Sequence, residues 1–131
     1  MLIDTNFYSA LDKGDKQAIE LIKAFNAMYI PIIVIGELYY GFYRGSQFEE
    51  NTNKLDKFLS LDKTEILHIS RRTVEHYGDL AAFCREKGRV LANNDIWIAA
   101  LALEHDLPLA TFDRDFTVFK EYLGDKLIIL G

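Results

Sequence analysis

The sequence has little of several features that define other classes of protein. It contains 1 cysteine, Cys84, and a disulfide scaffold is excluded because each bridge needs two. With 2 prolines and 8 glycines among 131 residues, it is not collagen-like and shows no flexible linker. No apolar run approaches the roughly 18 residues that cross a bilayer, and the first residues lack a basic-then-apolar signal segment. We therefore expect a cytoplasmic protein with no membrane partner.

Basic residues are also in the minority. Lys and Arg number 15 against 20 Asp and Glu, which gives a formal net charge of −5. A protein that holds nucleic acid by general electrostatics is usually basic. Either nucleic acid is not the ligand, or the negative charge is concentrated where cations neutralise it.

The residues that are abundant are those of a folded core. Half of the chain is hydrophobic and 13% is aromatic, which is too apolar for intrinsic disorder. The length fits one domain, and neither a composition shift nor an internal repeat divides it. We expect residues 1–131 to form a single domain.

Short apolar runs alternate with segments of helical periodicity. Strands are predicted at residues 1–4, 28–34, 64–69, 107–111 and 127–130. The second strand leads into a helix that carries Glu37 and loosens at Gly41 and Gly45. Asn93 or Asn94 is expected to cap a helix whose apolar run suits the middle of a fold. The alternation predicts an α/β fold with a largely parallel sheet.

Five acids fall near the ends of these elements. Asp4 ends the first strand, and Asp113 and Asp115 follow the fourth. Asp95 lies in the first turn of the apolar helix, and Glu37 lies in the helix that leaves the second strand. Because ligands of open parallel sheets bind outside the carboxyl ends of the strands, we expect these acids to converge at one edge.

Converging carboxylates repel one another. Two unit charges about 4 Å apart cost on the order of 4 kcal/mol at an effective dielectric constant near 20. Proton uptake by one carboxylate relieves this repulsion, and so does a divalent cation. An all-oxygen site suits Mg²⁺ or Mn²⁺ rather than zinc, and such an ion engages phosphate oxygens and activates water. A metal site would reconcile an acidic protein with a phosphodiester substrate.

Each acid also has an ordinary structural interpretation. Asp4 suits a helix cap, and Asp95 suits a first helical turn, where acids are common. Asp113 and Asp115 are typical turn residues. Glu37 is the least readily explained, because a buried carboxylate among apolar neighbours needs a partner. The set of acids, rather than any one of them, predicts a site.

Four segments carry a resemblance to a known family. In chain order they are Leu2-Ile3-Asp4-Thr5-Asn6, Ile35-Gly36-Glu37-Leu38-Tyr39-Tyr40-Gly41, Asn94-Asp95-Ile96-Trp97-Ile98-Ala99-Ala100 and Thr111-Phe112-Asp113-Arg114-Asp115-Phe116. Together they resemble PIN-domain ribonucleases, most closely the VapC toxins of bacterial toxin–antitoxin pairs. The resemblance implies a three-layer α/β/α sandwich around a mostly parallel sheet of four to five strands. It also implies Mg²⁺- or Mn²⁺-dependent cleavage of RNA, such as tRNA or ribosomal RNA. The implied partners are a second copy and a small antitoxin, with DNA contacted only through the antitoxin.

The resemblance assigns roles to particular acids. Asp4, Glu37 and Asp95 match the first three acids of the family, and Asp113 matches the fourth, with Asp115 as its alternative. Asp4, Asp95 and Asp113 are the implied metal ligands, to which Glu37 and Asp115 are possible additions. Three polar residues are expected to support the acids from outside: Thr111, Asn6 and Asn94.

Other residues near these segments keep two interpretations each. The aromatic residues of the second segment either stack on RNA bases or pack in a core or a dimer interface. Scattered basic residues such as Arg44 either guide the RNA backbone or belong to ordinary solvated surface.

Two other functions are compatible with a small acidic α/β domain. A phospho-signalling receiver also has an acidic Mg²⁺ pocket, but it needs an aspartate at the end of a middle strand. The strand at 64–69 ends at His68-Ile69-Ser70, without one. The third possibility is a PIN-fold binding module without nuclease activity.

Overall fold

Five short strands form one parallel sheet in the computed structural model, which describes residues 1–131. The strands are β1 (Leu2–Ile3), β2 (Met28–Pro31), β3 (Thr64–Leu67), β4 (Leu109–Thr111) and β5 (Leu127–Ile129). Their order across the sheet is β3-β2-β1-β4-β5, and every neighbouring pair is parallel. All five carboxyl ends therefore lie at the same edge, with β1 in the centre.

Seven α-helices flank this sheet. They are α1 (Thr5–Asp12), α2 (Lys16–Lys23), α3 (Ile32–Arg44), α4 (Phe48–Leu59), α5 (Arg71–Glu86), α6 (Asn93–Glu104) and α7 (Lys120–Leu123). Two 3₁₀ segments, Arg114–Phe119 and Gly124–Lys126, complete the chain after β4. The predicted α/β sandwich with its mostly parallel sheet is confirmed, with five strands. None of the helices combines the length and the apolar character that crossing a bilayer requires.

The strand order separates this fold from the receiver alternative. Receiver-type doubly wound sheets have the order 2-1-3-4-5, whereas here β1 lies between β2 and β4. In addition, β3 ends at Leu67 with no aspartate following it. The phospho-receiver interpretation does not describe this chain.

Helix α6 forms the centre of the core, as its unbroken apolar sequence predicts. Its buried residues are Ile96, Ile98, Ala99, Ala100, Leu101 and Ala102. Phe7 of α1 and Phe116 and Phe119 of the first 3₁₀ segment are fully buried in the same core. Because α6 is held on nearly every side, its first turn, which carries Asp95, has a fixed position relative to the sheet.

Two helix boundaries differ from those expected. Helix α3 passes through Gly41 without a break and ends at Arg44, with Gly45 as its C-cap. Neither Asn93 nor Asn94 caps α6, since Ala92 occupies the N-cap position and no side chain bonds there. Both asparagines already have helical backbone, so their side chains project from the first turn instead of folding back on it.

We expect Leu101→Ala in α6 to lower the free energy of unfolding by about 2–5 kcal/mol, because it removes a large side chain from a tightly packed core. Leu101 is 0% exposed, whereas Leu61, which follows α4, is 48% exposed. Leu61→Ala is therefore the matched control, with an expected loss below about 1 kcal/mol. Urea denaturation measures both values, and equal losses would contradict the central position of α6.

Candidate active site

Asp4 occupies the carboxyl end of the central strand and is 4% exposed. Its Oδ1 accepts a hydrogen bond of 2.9 Å from the backbone N–H of Phe7, so it caps α1. Its Oδ2 accepts a hydrogen bond from the Thr111 hydroxyl at the end of the adjacent strand. Burial raises the pKa of Asp4, and these two hydrogen bonds oppose that rise. The capping role and a place in the acidic site thus belong to the same side chain.

Thr111 links Asp4 to Asp113. While its hydroxyl donates to Asp4, its oxygen accepts the backbone N–H of Asp113 at 2.9 Å. Asp113 Oδ1 in turn accepts the backbone N–H of Asp115 at 2.9 Å and so caps the 3₁₀ segment. This series of hydrogen bonds fixes the first acid relative to the fourth, and it gives Thr111 the orienting position expected from the sequence.

Glu37 reaches the same edge from α3. Its Oε1 accepts a hydrogen bond of 2.6 Å from the hydroxyl of Thr5, the residue that follows Asp4. Thr5 belongs to the first of the four segments that carry the family resemblance, but its bond to Glu37 was not among the expectations. The one signal in the sequence that could have indicated the Thr5–Glu37 bond is a hydroxyl residue directly after the strand-end aspartate. That hydroxyl starts α1 at the same edge of the sheet.

The pKa of Asp95 is affected by the charges of the other four acids. Its pKa is raised to about 6, first by burial and then by repulsion from Asp113, Glu37, Asp4 and Asp115, in that order. Asp113 and Glu37 also raise the pKa of Asp4. Each of the other four acids is therefore near enough to Asp95 for its charge to act on it. Asp113 is half-buried and contributes more than Asp115, which is exposed.

No cation of the protein neutralises this group, which we call the acidic cluster (Asp4, Glu37, Asp95, Asp113 and Asp115). All six ion pairs of the structure involve other acids. Only neutral donors, namely hydroxyls and backbone N–H groups, contact the carboxylates. The cluster therefore keeps its negative charge available for a ligand.

The two asparagines expected to support the cluster do not bond to it. Asn6 is exposed and lines a separate cleft with Ser9 and Phe112. Asn94 is half-buried and lines a cleft that also contains Glu37. Neither amide donates to a carboxylate of the cluster, so their contribution is at most indirect.

The donor set suits a hydrated divalent cation. No three His, Cys, Asp or Glu side chains form a group that could hold a metal ion by themselves, so a closed structural zinc site is absent. Mg²⁺ usually binds through one or two carboxylates and keeps several waters. Spaced carboxylates without cationic partners fit that manner of binding, in which one or two of the candidates Asp4, Asp95 and Asp113 contact the ion directly and water bridges it to the rest.

Comparison with known proteins places this architecture. Residues 1–122 match the PIN domain family. The ribonuclease VapC2 of Rickettsia felis is 37% identical over 93 residues, which is 71% of this chain and 68% of the relative. The ribonuclease VapC2 of Haemophilus influenzae is 30% identical over 114 residues, which is 84% of this chain and 83% of the relative. The chain belongs to the PIN domain family, among the VapC ribonucleases.

A solved structure agrees with this VapC assignment. The crystal structure of VapBC2 from Rickettsia felis, bound to a DNA fragment from its promoter, contains a chain that superposes on this one with a TM-score of 0.79. The two chains share 32% identity, and the match covers 98% of this chain and 96% of the other. The resemblance stated from the four sequence segments is confirmed.

The raised pKa of Asp95 predicts an effect on stability. Its folded pKa of about 6 lies above the ordinary 3.8, so the folded state binds more protons than the unfolded state between these values. Stability from this group is therefore present below about pH 4 and is lost as the pH rises through about 6.

We expect Asp95→Asn, measured without divalent cations, to raise the free energy of unfolding at pH 7.5 by about 1–2 kcal/mol. A tenfold change in proton affinity corresponds to about 1.4 kcal/mol, and partial exposure to water reduces the effect. The gain should vanish near pH 4. Asp62→Asn, an exposed acid beside the opposite ends of the strands, is the control. Denaturation at both pH values measures the difference, and a loss of stability in Asp95→Asn at pH 7.5 contradicts the repulsion.

Proposed function

We propose that this protein is an Mg²⁺- or Mn²⁺-dependent endoribonuclease and the toxin of a VapBC-type toxin–antitoxin pair. The proposal depends above all on one observation: the carboxylates of Asp4, Glu37 and Asp113 lie near enough to Asp95 to raise its pKa, and none of the four has a cationic partner in the protein. Membership among the VapC ribonucleases supports RNA as the substrate class.

The acids and the threonine hydroxyls that donate to them have different roles in the proposed site. Asp4, Asp95 and Asp113 would hold the metal ion, which when bound supplies positive charge for phosphate oxygens and lowers the pKa of water. Thr111 holds the Asp4 carboxylate in one orientation by hydrogen bonding to Oδ2. Glu37, anchored by Thr5, lies at the side of the cluster and is placed to accept a proton or to bind a further ion.

The charge of the whole protein is consistent with this assignment. Acids elsewhere on the surface would repel RNA. The acids of the acidic cluster would instead bind a cation that contacts the scissile phosphate. Affinity for RNA would then depend on the divalent ion more than on general electrostatics. Within this class we propose a structured RNA, tRNA or ribosomal RNA, as the target.

The proposed partners follow from the relatives. The Rickettsia felis structure is a VapBC complex on promoter DNA. A chain of a toxin–antitoxin complex from Klebsiella pneumoniae is 26% identical to this chain and superposes on it with a TM-score of 0.66. We propose that this chain likewise binds a small antitoxin, contacts DNA only through it, and forms a homodimer. A cytoplasmic location stays a prediction from the sequence.

We expect the purified protein to cleave tRNA or ribosomal RNA with Mg²⁺ or Mn²⁺ and to lose this activity in EDTA. Asp95→Asn and Asp113→Asn should lower the rate about 100-fold or more, because even outer partners of a metal site contribute about 10–100-fold. Asp115→Asn should keep the rate within a few-fold, since Asp115 is exposed and is the weakest of the four charges that act on Asp95.

Gel analysis of the cleaved RNA measures these rates. Circular dichroism of each variant verifies that it is folded. Binding of RNA without cleavage by the intact protein would favour the binding-module alternative over the nuclease. A larger loss in Asp115→Asn than in Asp113→Asn would reverse the assignment of the fourth acid.

We also expect Mg²⁺ to stabilise the folded protein, because it relieves the repulsion within the acidic cluster. At about tenfold its Kd, a ligand of the folded state alone adds about 1.4 kcal/mol to the free energy of unfolding. Thermal unfolding at pH 7.5 should show a rise in Tm for the wild type and for Asp62→Asn, and little or none for Asp95→Asn. An equal rise in the Tm of Asp95→Asn would mean that the ion binds elsewhere. KCl at the same ionic strength is the control for screening of charges by salt.

A further inference from the structure

A cleft of about 630 Å³ opens beside the acidic cluster and continues along α3. One side carries Thr5, Glu37 and Asn94, so this end of the cleft is part of the acidic edge. The other end carries Tyr40 and Arg44, near the end of α3. Its size falls within the range of about 300–1,000 Å³ that is usual for pockets that hold small ligands. No residue of the proposed metal site accounts for its far end.

None of the arginines forms an ion pair, and Arg44 is the one that lines the cleft beside the acidic cluster. No carboxylate lies within the 4.0 Å that defines an ion pair, and its side chain is exposed. Its guanidinium lies over the ring of Tyr40, 5.4 Å from the centroid. Tyr40 is itself 67% exposed. A guanidinium free to bind a phosphate and an aromatic ring free to stack are together the groups that bind a nucleotide.

The floor of the cleft is open because two residues of α3 lack side chains. Gly36 and Gly41 are exposed, and a Cβ added at either would meet no other atom within 4 Å. Glycine inside a helix destabilises it relative to alanine, and packing does not require it here. These positions lie on the same face of the helix as Glu37, Tyr40 and Arg44. Their absent side chains leave room between the acid and the arginine.

We propose, on the basis of the ribonuclease activity proposed above, that this cleft holds the nucleotide next to the phosphodiester that the acidic cluster cleaves. Arg44 donates hydrogen bonds to a phosphate of that nucleotide, and Tyr40 stacks on its base. Arg44 follows Glu37 by seven positions along α3, a rise of about 10 Å, which leaves space for one nucleotide between them.

RNA fits the cleft better than a peptide of the antitoxin. A basic peptide would be repelled by Arg44, and an acidic peptide would be repelled by Glu37 at the other end. RNA presents one phosphate to a cation at the acids and the next to the guanidinium, with a flat base between them. The aromatic face and the single positive charge match that repeat.

Steady-state cleavage of a single-stranded oligoribonucleotide of mixed sequence in Mg²⁺ tests the proposal. Arg44→Ala and Tyr40→Ala should each raise KM about tenfold and leave kcat within about threefold, since stacking on one aromatic residue accounts for roughly this factor or more. Tyr40→Phe should retain the wild-type KM. The controls are Tyr43→Ala and Arg72→Ala. Tyr43 is 71% exposed on the same helix but packs on Phe48 outside the cleft, and Arg72 is an exposed arginine of α5.

Salt dependence separates the two contacts. Binding is measured by fluorescence anisotropy of the same labelled oligoribonucleotide, with every variant made in an Asp95→Asn background to prevent cleavage. Arg44→Ala should reduce the slope of log affinity against log salt concentration by about 0.7, the value for one phosphate contact on a single strand. Tyr40→Ala should weaken binding without changing that slope.

Filling the cleft is the complementary experiment. Gly41→Leu places a side chain where the structure has open space, at a backbone conformation open to all residues. We expect an unchanged or higher Tm together with a loss of RNA affinity at least equal to that of Tyr40→Ala.

The outcomes distinguish this proposal from the ribonuclease activity itself. Cleavage by the wild type with unchanged KM in Arg44→Ala, Tyr40→Ala and Gly41→Leu would overturn the nucleotide site. Loss of antitoxin binding alone in these variants, with RNA affinity unchanged, would overturn it in favour of a peptide site. If the wild type cleaves no RNA but binds the oligoribonucleotide through Arg44 and Tyr40, the cleft is supported and the nuclease proposal fails. A wild type that does not bind it refutes the cleft.

Discussion

Repulsion among carboxylates at one edge of the sheet is the constraint on which the rest of the structure depends. Burial makes this repulsion costly, because Asp4 is 4% exposed and the pKa of Asp95 rises to about 6. Such groups stay together only if the backbone that carries them cannot separate. The central strand supplies Asp4, and the fully packed helix α6 supplies Asp95. The hydrophobic core therefore opposes the electrostatic repulsion at the functional edge.

The acids are held by neutral hydrogen-bond donors, which leave their negative charge free to act on a ligand. Thr111 and Thr5 orient Asp4 and Glu37 through hydroxyl groups, and no lysine or arginine pairs with either acid. An ion pair would have fixed the geometry as well, but it would also have neutralised the charge that a metal ion needs. Neutral donors keep the carboxylates both ordered and negative. If the proposed cation binds, the stability lost in this way becomes affinity for it.

The location of the acids also bears on how a protein of net negative charge could act on RNA. A net charge of −5 would weaken binding of RNA to an ordinary surface, but part of that charge lies in the acidic cluster, where the proposed divalent ion would reverse its effect. Arg44, which has no acidic partner, then lies beside the acids rather than far from them. Negative and positive groups are thus arranged along one face of α3, in an order that a phosphate backbone can follow.

The sequence by itself determined the alternation of strands and helices, the buried character of α6 and the element to which each acid belongs. These features depend on hydrophobic periodicity and on local backbone preferences, both of which lie within a few neighbouring residues. The order of segments around Asp4, Glu37 and Asp95 also sufficed to indicate the family. Only the tertiary structure decided the strand order, the bond of Thr111 to Asp4 across 107 residues and the bond of Thr5 to Glu37 across 32. It also buried Asp113 more than Asp115 and placed Arg44 in the cleft beside the acids. These depend on which distant elements meet, and no local pattern encodes that distance.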